Sequence, residues 1–126
     1  MLRDDIIATQ KRFSGNDFPS LVKAYIALGI VTYAINIQTS QVTYVTKDGQ
    51  KCDLPTYQVE DVKSKSDSSK FLEKLRNHQA KETDFPTFCQ DCATNGICRW
   101  VVDLVAKTCR YFDLEDKVVY TETIPL

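Results

Sequence analysis

The stretch DFPTFCQDCATNGICRWVVDLVAKTCRYF, residues 84–112, repeats an earlier part of the same chain. Moved back by 67 residues, it lies without a gap on residues 17–45, DFPSLVKAYIALGIVTYAINIQTSQVTYV. Six of the 29 aligned positions are identical: Asp17/Asp84, Phe18/Phe85, Pro19/Pro86, Gly29/Gly96, Ile30/Ile97 and Tyr44/Tyr111. Unrelated segments of ordinary composition would share about two. Tyr33/Trp100, Ile35/Val102, Asn36/Asp103 and Ile37/Leu104 keep their chemical type. The chain therefore reads as two diverged copies of one unit, residues 1–54 and 67–126, joined by a linker over 55–66.

Each unit has a legible order. Leu2, Ile6, Ile7, Gln10 and Phe13 fall at helical spacing with charges between them, so a first amphipathic helix is expected up to a break at Ser14 to Asn16. Asp17 then suits a helix cap, with Pro19 in the first turn, where its missing N–H costs nothing. Phe18, Leu21, Val22, Tyr25 and Ile26 form one stripe, and Gly29 can close the helix in a left-handed conformation. From Ile30 to Ile37 the period changes to two, as in a half-buried strand. A tight turn at Thr39-Ser40 leads back through Val42 to Val45, and Asp48-Gly49 turns into a third strand, Lys51 to Leu54.

The segment PTYQVEDVKSKS, residues 55–66, is polar and reads as a mobile linker. Ser66 or Asp67 can cap the next helix, whose face carries Phe71, Leu72, Leu75 and His78. A helix over Phe85 to Asn95 follows, then strands over Ile97 to Val105, Thr108 to Asp113 and Val118 to Ile124, with Glu115-Asp116 in place of the Asp-Gly turn. A tight turn at Ala106-Lys107 would set Leu104 opposite Cys109 and leave Cys98 too far along the strand for a disulfide. The expected fold is a single α+β domain: two helix-helix-three-strand repeats, with helices packed on an antiparallel sheet of about six strands.

At 126 residues each half is too small to bury an adequate core alone, so the halves should share one. Sixteen basic residues against 17 acidic ones leave no overall field to collect nucleic acid or an anionic membrane. MLRDD has no apolar signal region, and the run Ala24 to Val31 is too short to span a bilayer. A cytoplasmic or virion-associated protein is expected, not one secreted through a signal peptide. Five cysteines in that setting read as free thiols.

Cys89-x-x-Cys92 is the most chemical-looking feature, since thiolates at i and i+3 share a helix face and can hold zinc or cycle as a redox pair. The first copy carries Val22 and Tyr25 at those positions, and Cys98 and Cys109 likewise fall on Val31 and Val42. Cysteine at apolar positions packs as a small hydrophobe, so neither metal nor cofactor is expected. His78 is the only histidine and takes the place of Phe13 at the edge of the core. His78, Glu82, Asp84, Cys89 and Cys92 form the one cluster to inspect as a site. Phosphate loops, metalloprotease helices and nucleophile elbows do not occur.

The run HQAKETDFPTFCQDCATNGICRWVVD, residues 78–103, with the strand Thr108 to Tyr111 and the terminal ETIP, Glu122 to Pro125, resembles the YbcV-like family of uncharacterised bacterial and prophage proteins. Members are often labelled phage envelope protein. The resemblance implies a soluble, phage-related protein and carries no catalytic residue with it. The reading is a non-catalytic binding or interaction protein whose partner is another protein or a second copy of the chain, as a homodimer. The reading from another class is a small thiol- or metal-dependent enzyme using Cys89, Cys92 and His78.

Overall fold

The computed structural model describes residues 1–13 and 17–124. The helix break expected at Ser14 to Asn16, and Pro125, lie outside them. The elements run α1 (Leu2–Phe13), α2 (Phe18–Ala27), β1 (Ile30–Asn36), β2 (Gln41–Thr46), β3 (Lys51–Pro55), α3 (Ser68–Gln79), α4 (Phe85–Thr94), β4 (Arg99–Asp103), β5 (Thr108–Phe112) and β6 (Val118–Thr123). The fold is α+β, and helix, helix and three strands occur in that order in each half. None of the helices among the described residues is long and apolar enough to cross a membrane.

Both Asp-Phe-Pro motifs start a helix by the same chemistry. Asp17 Oδ1 accepts from the Ser20 amide at 3.1 Å and Asp84 Oδ1 from the Thr87 amide at 2.9 Å, satisfying donors that the first helical turn leaves without a partner. Asp67, not Ser66, caps α3, accepting from the Lys70 amide at 3.1 Å. Gly29 and Gly96 follow α2 and α4 at φ +86° and +81°, a conformation that only glycine adopts cheaply.

The six strands form one antiparallel sheet in the order β3-β2-β1-β4-β5-β6. Its centre is the β1–β4 pair, where Ala34 faces Val101, flanked by Tyr33 opposite Val102 and Ile35 opposite Trp100. A 67-residue shift turns Ala34 into Val101 and exchanges the two flanking pairs, so the register is symmetric about that point. Every β4–β5 partner pair is a β1–β2 pair moved by the same shift, as with Tyr33↔Tyr44 and Trp100↔Tyr111. The joins at the sheet centre match too: Ile37 N–H donates to Cys98 O at 3.0 Å, and Leu104 N–H to Val31 O at 2.8 Å.

All four helices contribute to one hydrophobic cluster with one face of the sheet. Ile6, Val22, Tyr25, Phe71, Leu75 and Phe88 meet Tyr33, Val42, Tyr44, Trp100, Val102 and Tyr111 there. Fully burying a side chain such as Phe71 contributes roughly 1.5–3 kcal/mol. The opposite face carries Thr43, Ala34, Val101 and Arg110 in one row and is left to solvent, as is common for antiparallel sheets. Phe112 is the large apolar residue on that side, covered by the Arg99 guanidinium 3.9 Å above its ring.

Three expectations are corrected. The turns closing β1–β2 and β4–β5 span four residues, Ile37 to Ser40 and Leu104 to Lys107, so Cys109 pairs with Val102 and not with Leu104. The cause is the residue before each turn: Asn36 Oδ1 accepts from the Gln38 and Thr39 amides, and Asp103 Oδ1 from the Val105 and Ala106 amides. These side chains stand in for a backbone acceptor and round out the longer loop, which ends on Ser40 and Lys107 at φ 61° and 59°. Leu104 and Val105, expected in the strand, belong to that turn. Second, the Glu115-Asp116 turn keeps a left-handed residue, Asp116 at φ 61°, but β6 then runs one residue out of step with β3, and the pairing shifts between Tyr111 and Phe112.

The third correction concerns the linker, which is docked. Val59 is buried at 3 % exposure and its N–H donates to Ile37 O at 3.1 Å. Lys63 N–H donates to Ala93 O at 2.9 Å and Asp67 N–H to Asn95 O at 3.0 Å. The polar composition concealed three anchors, Tyr57, Val59 and Val62, all packed against the core.

Candidate functional site

Cys89 and Cys92 lie one turn apart on α4, and both are fully buried in the cluster beneath the sheet. Desolvation pushes the Cys89 thiol up to about 12 and holds Cys92 well above its ordinary value. A thiol protonated at neutral pH is neither a ready nucleophile nor a ready metal ligand. Cys109 is pushed up to about 12 by the same cause, and all five cysteines are free.

His78 sits half-buried near the end of α3. Its ring stacks on Phe88 at 4.3 Å and 11°, and Nδ1 lies 3.1 Å from the Thr83 carbonyl and 3.2 Å from its hydroxyl. Burial pulls its pKa below the ordinary value, against the opposing pull of the Thr83 carbonyl and Asp84. Asp84 is engaged as the α4 cap, with Thr87 holding its carboxyl below the usual range, and Glu82 stands exposed in the loop before it. Of the five residues singled out, then, Asp84 acts on His78 only through its charge, while Cys89 and Cys92 face the core. Among the described residues no three His, Cys, Asp or Glu side chains converge as metal ligands would.

Two polar clusters inside the fold have structural explanations. Tyr44 Oη accepts from Gln10 Nε2 at 2.8 Å and lies 3.2 Å from Tyr25 Oη. In the second half Tyr111 Oη donates to Glu122 Oε2 at 3.3 Å, and Gln79 Nε2 to Glu122 Oε1 at 2.6 Å. Each satisfies a tyrosine hydroxyl at the core edge, as burial demands.

The surface feature that the symmetry leaves unexplained is a groove between the end of α2 and the β4–β5 turn. Ile26, Gly29, Val31, Lys47, Leu104 and Val105 line a depression of about 180 Å³ at the end of α2. It continues past Gly29 and Lys47 into an open trough of about 600 Å³ that reaches Leu28 and the start of α1 at Leu2 and Asp5. Two of its apolar side chains are well exposed, Ile26 at 44 % and Val105 at 74 %. The corresponding surface, between the end of α4 and the β1–β2 turn, is where the linker lies. Gln58 Nε2 donates to Gln38 O at 3.2 Å, Val59 N–H to Ile37 O, Lys63 N–H to Ala93 O and Asp67 N–H to Asn95 O. Those four acceptors correspond to Val105, Leu104, Ile26 and Leu28. Among the described residues no backbone N–H donates to Leu104 O or Leu28 O.

These groove residues were not singled out from the sequence. The signal was present in the linker: two valines, three apart, in an otherwise polar segment directly before α3. Its meaning depends on seeing what those valines touch.

Residues 7–123 match the family model described as "Protein of unknown function (DUF1398)". An uncharacterised protein of Mycobacterium bovis and an uncharacterised protein of Mycobacterium tuberculosis are each 30% identical over 112 residues, covering 87% of this chain and 68% of theirs. The resemblance drawn from sequence to a family of uncharacterised proteins holds at that level; the matched descriptions carry neither a prophage nor an envelope term. With the match running from α1 to β6, the chain belongs to the DUF1398 family of proteins of unknown function.

Proposed function

We propose that the protein is a non-catalytic interaction protein that receives an extended polypeptide segment in the groove beside α2. One observation carries this reading: residues 58–67 cross the surface between α4 and the β1–β2 turn, while among the described residues the corresponding surface beside α2 is left lined by exposed Ile26 and Val105. Extended segments bind such surfaces through main-chain hydrogen bonds, with side-chain pockets supplying selectivity. The thiol-enzyme reading would need an accessible thiolate, and burial works against that at Cys89 and Cys92. The solvated face of the sheet needs no partner to explain it. A phage-related origin is in keeping with the sequence resemblance and carries no part of the reasoning.

The test is a random peptide library displayed on phage and panned in parallel against the native chain and Val105→Asp, a change at an exposed turn position that the fold should accept. Sequences enriched on the native chain and lost on the variant support the reading. Equal enrichment on both, or none, sinks it.

A further inference from the structure

An open face on an antiparallel sheet is ordinarily no more than solvated. On this one the charges are disposed in a way that solvation does not account for. One row crosses all six strands: Asp53, Thr43, Ala34, Val101, Arg110 and Thr121. Its middle is small and apolar, and opposite charges stand towards its two ends. Asp53 is exposed, with Oδ1 accepting from the Thr43 hydroxyl at 2.7 Å, and Arg110 is exposed with its guanidinium 5.8 Å from the Phe112 ring. Among the described residues neither charge has an ion-pair partner.

The row beside it runs Pro55, Gln41, Asn36, Arg99, Phe112 and Val118. Pro55 is exposed at one edge of the sheet, and Val118 at the other with 46 % of its surface open. On the far side of the first row, Thr32, Val45 and Thr108 are again short. Sheet faces that meet in this way stack about 10 Å apart with their strands roughly aligned.

A sheet that stacks on a copy of itself does so about a twofold axis lying between the two faces. Two orientations of that axis keep the strands aligned. With the axis across the strands, Arg110 meets Arg110 and Asp53 meets Asp53, and like charges repel. With the axis along the strands, between β1 and β4, every row lies reversed on its counterpart. Val101 then covers Ala34, and Val118 covers Pro55. Arg110 comes to lie over Thr43, one strand or about 4.8 Å aside from Asp53 and within side-chain reach of it. Because the contact is made twice, both unpaired charges of each chain find a partner. Six strands of about five residues offer roughly 500 Å² per copy, or about 1,000 Å² in the pair, which reaches the lower bound of specific interfaces.

We propose that the open face of the sheet docks a second copy of the chain about a twofold axis parallel to the strands, with Arg110 of each copy paired with Asp53 of the other. This surface uses none of the residues that line the groove beside α2. It stands or falls apart from the reading of that groove.

Sedimentation equilibrium of the full chain, at high micromolar concentration with a thiol reductant, should give twice the 14.4 kDa of one chain. Ala34→Arg, at the centre of the face, should reduce the mass to that of a single chain. Arg110→Glu and Asp53→Arg, each on its own, should weaken association by roughly a hundredfold, since each sets like charges together twice in one dimer. Mixed in equal amounts, those two variants should associate again, because each offers the charge that the other lacks. The altered positions lie on the solvated face, and thermal melting confirms that the variants fold. A native chain that stays a single copy overturns the proposal and leaves the face to water or to a different protein. A dimer that survives Ala34→Arg overturns it too, by placing the contact elsewhere, at the groove beside α2 or along the edge of β6. A mixture that stays monomeric overturns the pairing of Arg110 with Asp53, and with it the orientation.

Discussion

Gly96 and Ser66 are in contact across the crossing of linker and helix end: a β carbon on Gly96 would lie 2.6 Å from Ser66 Cα, a separation that real β carbons do not adopt. Its counterpart Gly29 has nothing within 4 Å of the same position. The two glycines share a left-handed conformation and differ in whether chain passes over them.

That difference separates two substitutions. Gly29→Ala carries only the backbone cost of a left-handed alanine, roughly 1–2 kcal/mol. Gly96→Ala carries the same cost and must also lift residues 65 and 66, breaking the approach that seats Asp67 at the start of α3. Chemical denaturation should show Gly96→Ala to be clearly the more damaging. Equal losses would mean that the linker does not rest on Gly96 in solution.

Asp17 and Asp84 cap their helices by accepting from the Ser20 and Thr87 amides. Asn offers the same acceptor, so Asp17→Asn and Asp84→Asn should leave the melting temperature nearly unchanged, while either change to Ala should lower it by roughly a few degrees. Calorimetry at neutral pH checks this. Comparable damage from Asn and Ala at Asp84 would show that its charge is needed beside His78.

The burial of Cys89 predicts slow chemistry and easy replacement by a hydrophobe. Native alkylation should label it far more slowly than the unfolded chain, and Cys89→Val, a near volume-conserving change, should cost less than about 1.5 kcal/mol. Cys89→Asp should be severely destabilising through an unpaired buried charge. Rapid labelling of native Cys89 would instead restore the thiol-enzyme reading.

His78 should make stability fall in mild acid. Its folded pKa is depressed below the ordinary 6.5 by burial, so its contribution is complete above about that pH and is lost as the pH falls towards the folded value, because the unfolded chain takes up a proton that the folded chain resists. His78→Phe copies Phe13 from the first half and can keep the stack on Phe88. Between pH 7 and 5 the melting temperature of the native protein should drop by more than that of the variant. The depressed carboxylates Asp17, Asp48 and Asp84 act below this window, about and under pH 3.8. Parallel pH curves would place the His78 ring in solvent.

The sequence by itself determined the elements and their order. Asp-Phe-Pro followed ten residues on by glycine specifies a capped helix by local hydrogen bonding and backbone freedom, and the alternation from Ile30 to Ile37 specifies a strand with one buried face. These signals act over a few residues and survive in both halves, which is why Cys89, Cys92 and Trp100 were legible as core positions from Val22, Tyr25 and Tyr33. The length of the β1–β2 turn was missed although its cause, Asn36, was in view, because a side-chain acceptor competes with a tight turn on nearly equal terms. Only the tertiary structure decided how the halves join, with Ala34 opposite Val101, since edge-to-edge pairing of two strands depends on contacts between residues far apart in the chain. It alone decided the fate of the linker as well. Val59 and Val62 are too few to mark a buried segment by pattern, and they are ordered by a surface between the end of α4 and the β1–β2 turn that exists only once the two halves have been brought together.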